Sequence, residues 1–146
     1  MTVDRAAVWR ADRAAAAKVH QDALDHARNS EAEQASELLK DFVKRARAQG
    51  IAAVRLHALP YSGAGRYKSN VIGWYLRRDG SIAVDQSGHY YIMKVPRSFG
   101  AHFRSVSIPP SQPSLTIGKG GRDGDTIELK TLLELRLAQP SSFPTA

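Results

Sequence analysis

Residues 71–95 read VIGWYLRRDGSIAVDQSGHYYIMKV, and this stretch decides the fold class. Among its first seven residues, Ile72, Trp74 and Leu76 recur with a period of two and share one face, which is typical of a β-strand. Asp79-Gly80 then favours a tight hairpin, because both residues tolerate positive φ. A second turn at residues 85–88 and a further strand pattern at residues 89–95 complete the unit. The stretch therefore predicts a three-stranded antiparallel meander.

Shorter runs on both sides of the meander predict further strands. Residues 51–59 also alternate with a period of two, and Pro60 ends that run. Residues 101–108 and 114–117 are two more candidates, and the prolines that connect them cannot belong to a central strand. We expect them to extend the same sheet, which gives a small, mainly antiparallel sheet of about five strands.

The first fifty residues have the composition of helices. Residues 4–28 contain no glycine or proline and carry a thin apolar stripe made mostly of alanine. Ser30 and Glu33 have the spacing of a capping box, which predicts the start of a second helix. Gly50 suits the left-handed position that ends such a helix. The pattern predicts two N-terminal helices packed on the sheet.

A short C-terminal helix is predicted over residues 126–138, where leucines recur on one face. Residues 139–146 are expected to form a flexible tail. Helices before and after an antiparallel sheet indicate an α+β architecture in which the helices cover one face of the sheet. We expect a single domain over residues 1–138.

The positive charge is concentrated in the β region. Residues 1–50 hold nine basic and eight acidic side chains, whereas residues 51–126 hold ten and four. Most of the formal net charge of +7 therefore belongs to the second segment. Such an excess steers acidic partners toward the molecule but does not determine the fold.

Composition excludes several functional classes. The chain has no cysteine, so disulfides, thiolate catalysis and cysteine-based metal centres are excluded. It has no apolar run of the length that spans a bilayer, and its N-terminus is polar where a signal peptide would be apolar. We expect a cytoplasmic protein that needs no membrane, no metal and no cofactor.

The candidate binding surface is loop 60–70, PYSGAGRYKSN, together with the basic strand ends beside it. Its residues are Tyr61, Arg66, Tyr67, Lys68, Arg77 and Arg78. Cations of this kind would attract an acidic protein partner, and self-association through the helices is a related possibility. A nucleic-acid ligand is the alternative, because cations attract phosphates and exposed rings stack on bases.

A glycine-rich segment, GKGGRDGDT at residues 118–126, directly precedes the predicted C-terminal helix. Backbone N–H groups before a helix can hold an anion, so Lys119, Gly120, Gly121 and Arg122 form a weak candidate anion site. The spacing matches neither a P-loop nor a dinucleotide-binding fingerprint. A flexible turn is the simpler interpretation.

An enzyme is the remaining alternative. His57, His89 and His102 fall on separate predicted strands, so a shared catalytic site would need them to converge. The sequence contains neither a HExxH zinc motif nor a GxSxG nucleophile turn. No catalytic residue is assigned, and a non-enzymatic binding or regulatory module is the leading hypothesis.

Overall fold

The structure is a computed structural model that describes residues 4–61, 65–96, 105–118 and 126–140. In these ranges the chain forms one long helix, a curled sheet, a small second sheet and a short final helix. The predicted α+β class is confirmed.

Helix α1 spans Arg5–Ala48 without interruption, so the prediction of two N-terminal helices is wrong. The side chain of Asp4 caps it by accepting hydrogen bonds from two backbone N–H groups of the first turn. Ser30 lies inside α1 and does not begin a second helix. A capping box marks the start of a helix only where the residues before it are not helical. Residues 4–49 contain no glycine or proline that would interrupt α1 before Ser30.

The C-terminal end of α1 has the predicted form. Gly50 adopts a φ of +75°, the left-handed conformation. The backbone N–H groups of Gly50 and Ile51 donate to the carbonyl oxygens of Arg47 and Ala46, each over 3.0 Å. These paired bonds satisfy carbonyls of the last turn and release the chain toward the sheet.

The two halves of α1 differ sharply in burial. Every residue from Asp4 to Ser30 is exposed, and the buried face begins only at Ala35. We call residues 5–30 the arm. At about 1.5 Å of rise per residue it extends about 39 Å. The second half of α1 belongs to the core, whereas the arm projects from it.

The main sheet has six strands. They are β1 Val54–Pro60, β2 Tyr67–Tyr75, β3 Ile82–Asp85, β4 Tyr90–Ile92, β5 Lys94–Val95 and β6 Ser105–Val106. The order is β4-β3-β2-β1-β5, and β6 pairs in parallel with the start of β2. The antiparallel meander of β2, β3 and β4 is confirmed, although β2 begins at Tyr67, inside the predicted loop 60–70.

The sheet curls into a small barrel. Only Met93 separates β4 from β5, so the chain itself joins the two ends of the strand order. β4 pairs antiparallel with β3, and β5 pairs in parallel with the end of β1. The N–H of Leu59 donates to the carbonyl of Met93 over 2.8 Å at this closure. The barrel interior is lined by Leu56, Ala58, Val71, Tyr75, Ala83, Tyr91, Met93, Val95, Val106 and Ile108.

A second core lies between the outer face of the barrel and the helices. Trp74 is 2% exposed and meets the ring of Phe42 edge to face at 6.2 Å. Its indole N–H donates to the carbonyl of Ile51 over 3.0 Å. Arg45 on α1 also forms an ion pair with Glu134 on the final helix. The predicted covering of one sheet face by helices is therefore seen in the second half of α1.

Two short strands and the final helix complete the fold. β7 Thr116–Gly118 pairs antiparallel with β8 Thr126–Glu128, and α2 spans Leu129–Ala138. The expectation that residues 114–117 extend the main sheet is wrong, because β7 belongs to this separate pair. α2 begins three residues later than predicted, since residues 126–128 are held in that pair.

Within the described ranges, neither helix has an apolar stretch of the length that would cross a membrane.

Candidate binding surface

Three basic side chains come together on the outer side of β1 and β2, and a fourth, Arg55, lies two residues before His57 on β1. We call Arg55, His57, Arg66 and Lys68 the basic patch. His57 lies directly opposite Lys68 in the antiparallel register. Arg66 Nη2 lies 3.4 Å from His57 Nδ1. The side chains of the arginines and the lysine are exposed and that of His57 is half-buried, so the patch faces solvent.

An irregularity in the strand pair sets the position of the patch. Arg55 pairs with Ile72 while His57 pairs with Lys68, so β2 places two more residues between these pairs than β1 does. Such a bulge locally bends and twists the strands and changes the direction in which side chains project. It brings His57 beside the residues that enter β2 rather than beside its middle.

Side chains inside the barrel hold the backbone at this irregularity. Ser69 Oγ donates to the carbonyl of Leu56 over 2.7 Å. The hydroxyl of Tyr75 accepts from the N–H of His57 over 2.7 Å and donates to its carbonyl over 3.1 Å. Because buried backbone groups need partners, these bonds stabilise the strand that carries the patch.

The charges of the patch affect the pKa of His57. Partial burial lowers the pKa of His57 below its ordinary value, and the charges of Arg66 and Lys68 lower it further. The imidazole is therefore neutral near pH 7, and the patch carries its permanent charge on Arg55, Arg66 and Lys68. An approaching carboxylate would offset these charges and favour the protonated imidazole.

Most of the aromatic rings that the structure describes in the β region do not lie on the patch. Tyr61, at the end of β1, is 67% exposed, whereas Tyr67 is half-buried and packs against the barrel interior. The remaining rings among the described residues of this region are buried: Trp74, Tyr75, Tyr90 and Tyr91. The apolar side chain beside the patch is Ile72, which is 41% exposed and lies opposite Arg55.

Arg77 and Arg78 lie elsewhere, at the turn between β2 and β3. Arg77 Nη1 donates to the carbonyl of Gly118 over 2.7 Å, and Arg78 contacts the side chain of Gln139 at the end of α2. Both line a cavity of about 400 Å³ between this turn and α2. The structure thus brings Arg66 and Lys68 together but places the other two predicted arginines in a separate region.

The candidate anion site at Lys119, Gly120, Gly121 and Arg122 lies outside the described residues, as does His102. Sequence reasoning did not select Arg55 or His57 as members of the binding surface. Their alternation along β1 was a usable signal, since it placed both on one side of that strand.

The histidines that support an enzymatic hypothesis have separate partners. His57 contacts Arg66, whereas His89 Nδ1 lies 3.0 Å from Asp85 Oδ2 at the turn between β3 and β4. Asp85 also accepts from the backbone N–H groups of Ser87 and His89 and from the hydroxyl of Tyr91. The described part of the chain contains no group of three potential ligands that could hold a metal ion.

The pKa values at this turn fit a structural role. Burial acts to raise the pKa of Asp85, but its hydrogen bonds from His89, Tyr91 and Ser87 outweigh that effect and hold the pKa below its usual value. Burial and the bond to Asp85 raise the pKa of Tyr91 to about 12. A carboxylate that stays charged while it accepts several local donors is typical of a turn.

Comparison with known proteins gives no relative from which a function could be transferred. No similar protein was found among protein-family models, curated proteins or solved structures.

Proposed function

We propose that this protein is a non-enzymatic binding module that holds an acidic segment of a partner protein on the basic patch. The observation that carries the proposal is that His57 contacts Arg66 and lies opposite Lys68 on a strand pair whose cationic side chains are exposed. Clustered like charges repel one another, and an anionic ligand relieves that repulsion.

The surroundings of the patch favour a protein ligand over nucleic acid. Single-stranded nucleic acid binds to cationic grooves that also offer exposed rings for stacking. Among the described residues of the β region, Tyr67 is half-buried and Tyr61, at the end of β1, is the largely exposed ring. The half-exposed Ile72 beside Arg55 instead suits a peptide that presents an apolar side chain next to its carboxylates.

A binding assay with two probes tests the proposal. We would measure fluorescence anisotropy with a labelled twelve-residue peptide of glutamate and leucine and with a labelled single-stranded DNA of similar charge. The double variant Arg66→Glu, Lys68→Glu should bind the peptide at least about tenfold more weakly, because it places like charges opposite the ligand. Its affinity should also depend less on salt than that of the wild type.

A matched variant distinguishes binding at the patch from attraction by the net charge of the protein. Lys44→Glu, Lys130→Glu changes the charge by the same amount at exposed positions on the two helices. It should keep most of the peptide affinity. Equal losses in the two variants would show that net charge rather than the patch attracts the ligand. Tighter binding of DNA than of peptide would contradict the proposed partner class.

A further inference from the structure

We propose that the arm, residues 5–30 of α1, pairs in antiparallel orientation with the arm of a second copy of this chain. This inference is independent of the basic patch. It rests on three observations: the exposure of apolar side chains on the arm, its alanine-rich surface, and the order of charges along it.

The arm exposes apolar side chains that a soluble single helix does not need. Val8 is 48% exposed, Trp9 58%, Val19 69% and Leu24 41%. Arg13 lies over the ring of Trp9, 4.7 Å from its centroid, and covers part of it. Large exposed apolar groups along one element indicate an interaction site. Helices of this kind generally gain stability from packing against another element.

The surface of the arm suits close contact with another helix. Alanine occupies many of its positions, including Ala11, Ala15 and Ala23, and alanine side chains allow two helix backbones to approach closely. Val8 and Val19 lie three or four residues from these alanines on the stripe, so they fall on the same side of the helix. A partner helix could cover this stripe along the length of the arm.

The charge order identifies the partner. Within the arm, residues 5–18 hold four basic and one acidic side chain, whereas residues 19–30 hold one basic and two acidic, and Glu31 and Glu33 follow directly after the arm. The first turn of α1 contains no acidic residue, although the helix dipole favours acidic residues there. In an antiparallel pair of identical arms, the basic half of each helix lies beside the acidic half of the other. The arm is therefore complementary in charge to itself.

The same charges disfavour a parallel pair. In that orientation, basic residues would lie beside basic residues and acidic beside acidic, which is destabilising. The antiparallel pair also places the two sheet regions at opposite ends of the joined arms, since the described contacts between each sheet region and α1 begin at the C-terminal end of the arm. Contacts there begin near Asn29 and Glu31, which bond to Gln112 and Ser114.

Charge exchange tests this proposal. One variant carries Arg10→Glu, Arg13→Glu and Lys18→Glu, and the other carries Asp22→Lys, Asp25→Lys and Glu33→Lys. All six positions are exposed, so the core should be unaffected, which near-ultraviolet circular dichroism checks. Sedimentation equilibrium should give about twice the chain mass of 16.0 kDa for the wild type and 16.0 kDa for each variant alone.

Mixing gives the decisive outcomes. An equimolar mixture of the two variants should sediment as a dimer, and so should a single chain that carries both sets of changes, because each restores opposite charges across the pair. A wild-type mass of 16.0 kDa at about 100 μM would overturn the proposal. A specific dimer with an interface of this length is not expected to have a dissociation constant weaker than about 100 μM. Either variant dimerising alone as tightly as the wild type would overturn it as well.

Discussion

Replacing Gly73 with alanine should strongly destabilise the folded state of the sheet region. Gly73 lies in β2 between Val54 of β1 and Asp85 of β3. A Cβ atom at this position would lie 2.0 Å from the carbonyl oxygen of Val84 and 2.7 Å from the Cα of Asp85. Both atoms belong to the backbone of β3, so no side-chain rotation relieves the clash.

The consequence is separation of β2 from β3. That pair also aligns Trp74 with Val84 and Tyr75 with Ala83, so both cores would lose a wall. We expect a loss above about 4 kcal/mol, the range reached when a substitution disrupts the core. Since domains of this size are stable by about 5–15 kcal/mol, this loss is a large part of the free energy of unfolding.

Urea unfolding followed by circular dichroism measures this effect. Gly118→Ala is the matched control, because a Cβ atom there would meet no atom of the described residues within 4 Å. The control should change the free energy of unfolding by less than about 1 kcal/mol. Equal midpoints for the two variants would show that β2 and β3 are not paired as described.

Replacing Trp74 with alanine should have the second largest effect. Trp74 is among the largest fully buried side chains, and it packs on Phe42 while its N–H bonds to the carbonyl of Ile51. Its removal would leave a cavity between the sheet and α1 and an unpaired carbonyl. We expect a loss of about 3–5 kcal/mol in the free energy of unfolding.

A neighbouring position on the same strand provides the comparison. Ile72 projects from the same side of β2 as Trp74 but is 41% exposed, so Ile72→Ala should cost less than about 1 kcal/mol. Trp74→Phe keeps a ring and removes the hydrogen bond, and it should fall between the two. A cost for Ile72→Ala as large as that for Trp74→Ala would contradict the placement of α1 against this part of β2.

The elements that local signals determine were predictable from the sequence. Asp79-Gly80 predicted the hairpin between β2 and β3, and Gly80 has the positive φ that such turns use. Gly50 likewise marked the end of α1. The capping box at Ser30 was misleading, because local capping residues act only where the helix is otherwise interrupted.

Long-range pairing was not predictable in the same way. β2 buries Val71 and Tyr75 inside the barrel and Trp74 against the helices, so both of its sides contain apolar residues. Alternation then no longer distinguishes core from solvent. The closure at Met93 likewise depends on pairing between segments distant in sequence, which no local pattern encodes.

In the candidate site too, neighbours in sequence could be predicted to lie together, whereas neighbours that only strand pairing creates could not. Arg66 and Lys68 are close in sequence, and they lie together in the structure. His57 joins them only through the pairing of β1 with β2, and Arg55 lies two residues before it on β1. Arg77 and Arg78 follow shortly after the end of β2, and they lie near α2, away from the patch.

The titration of His57 tests the proposed binding role most directly. Its ring signal would be followed by proton NMR against pH, with and without the glutamate and leucine peptide. Without peptide, burial and the charges of Arg66 and Lys68 hold the pKa of His57 below its ordinary value. With peptide bound, its carboxylates should offset those charges and raise the pKa of His57. In the variant Arg66→Gln, Lys68→Gln the peptide should no longer cause this change. A peptide that binds the wild type while the pKa of His57 stays the same would contradict the account.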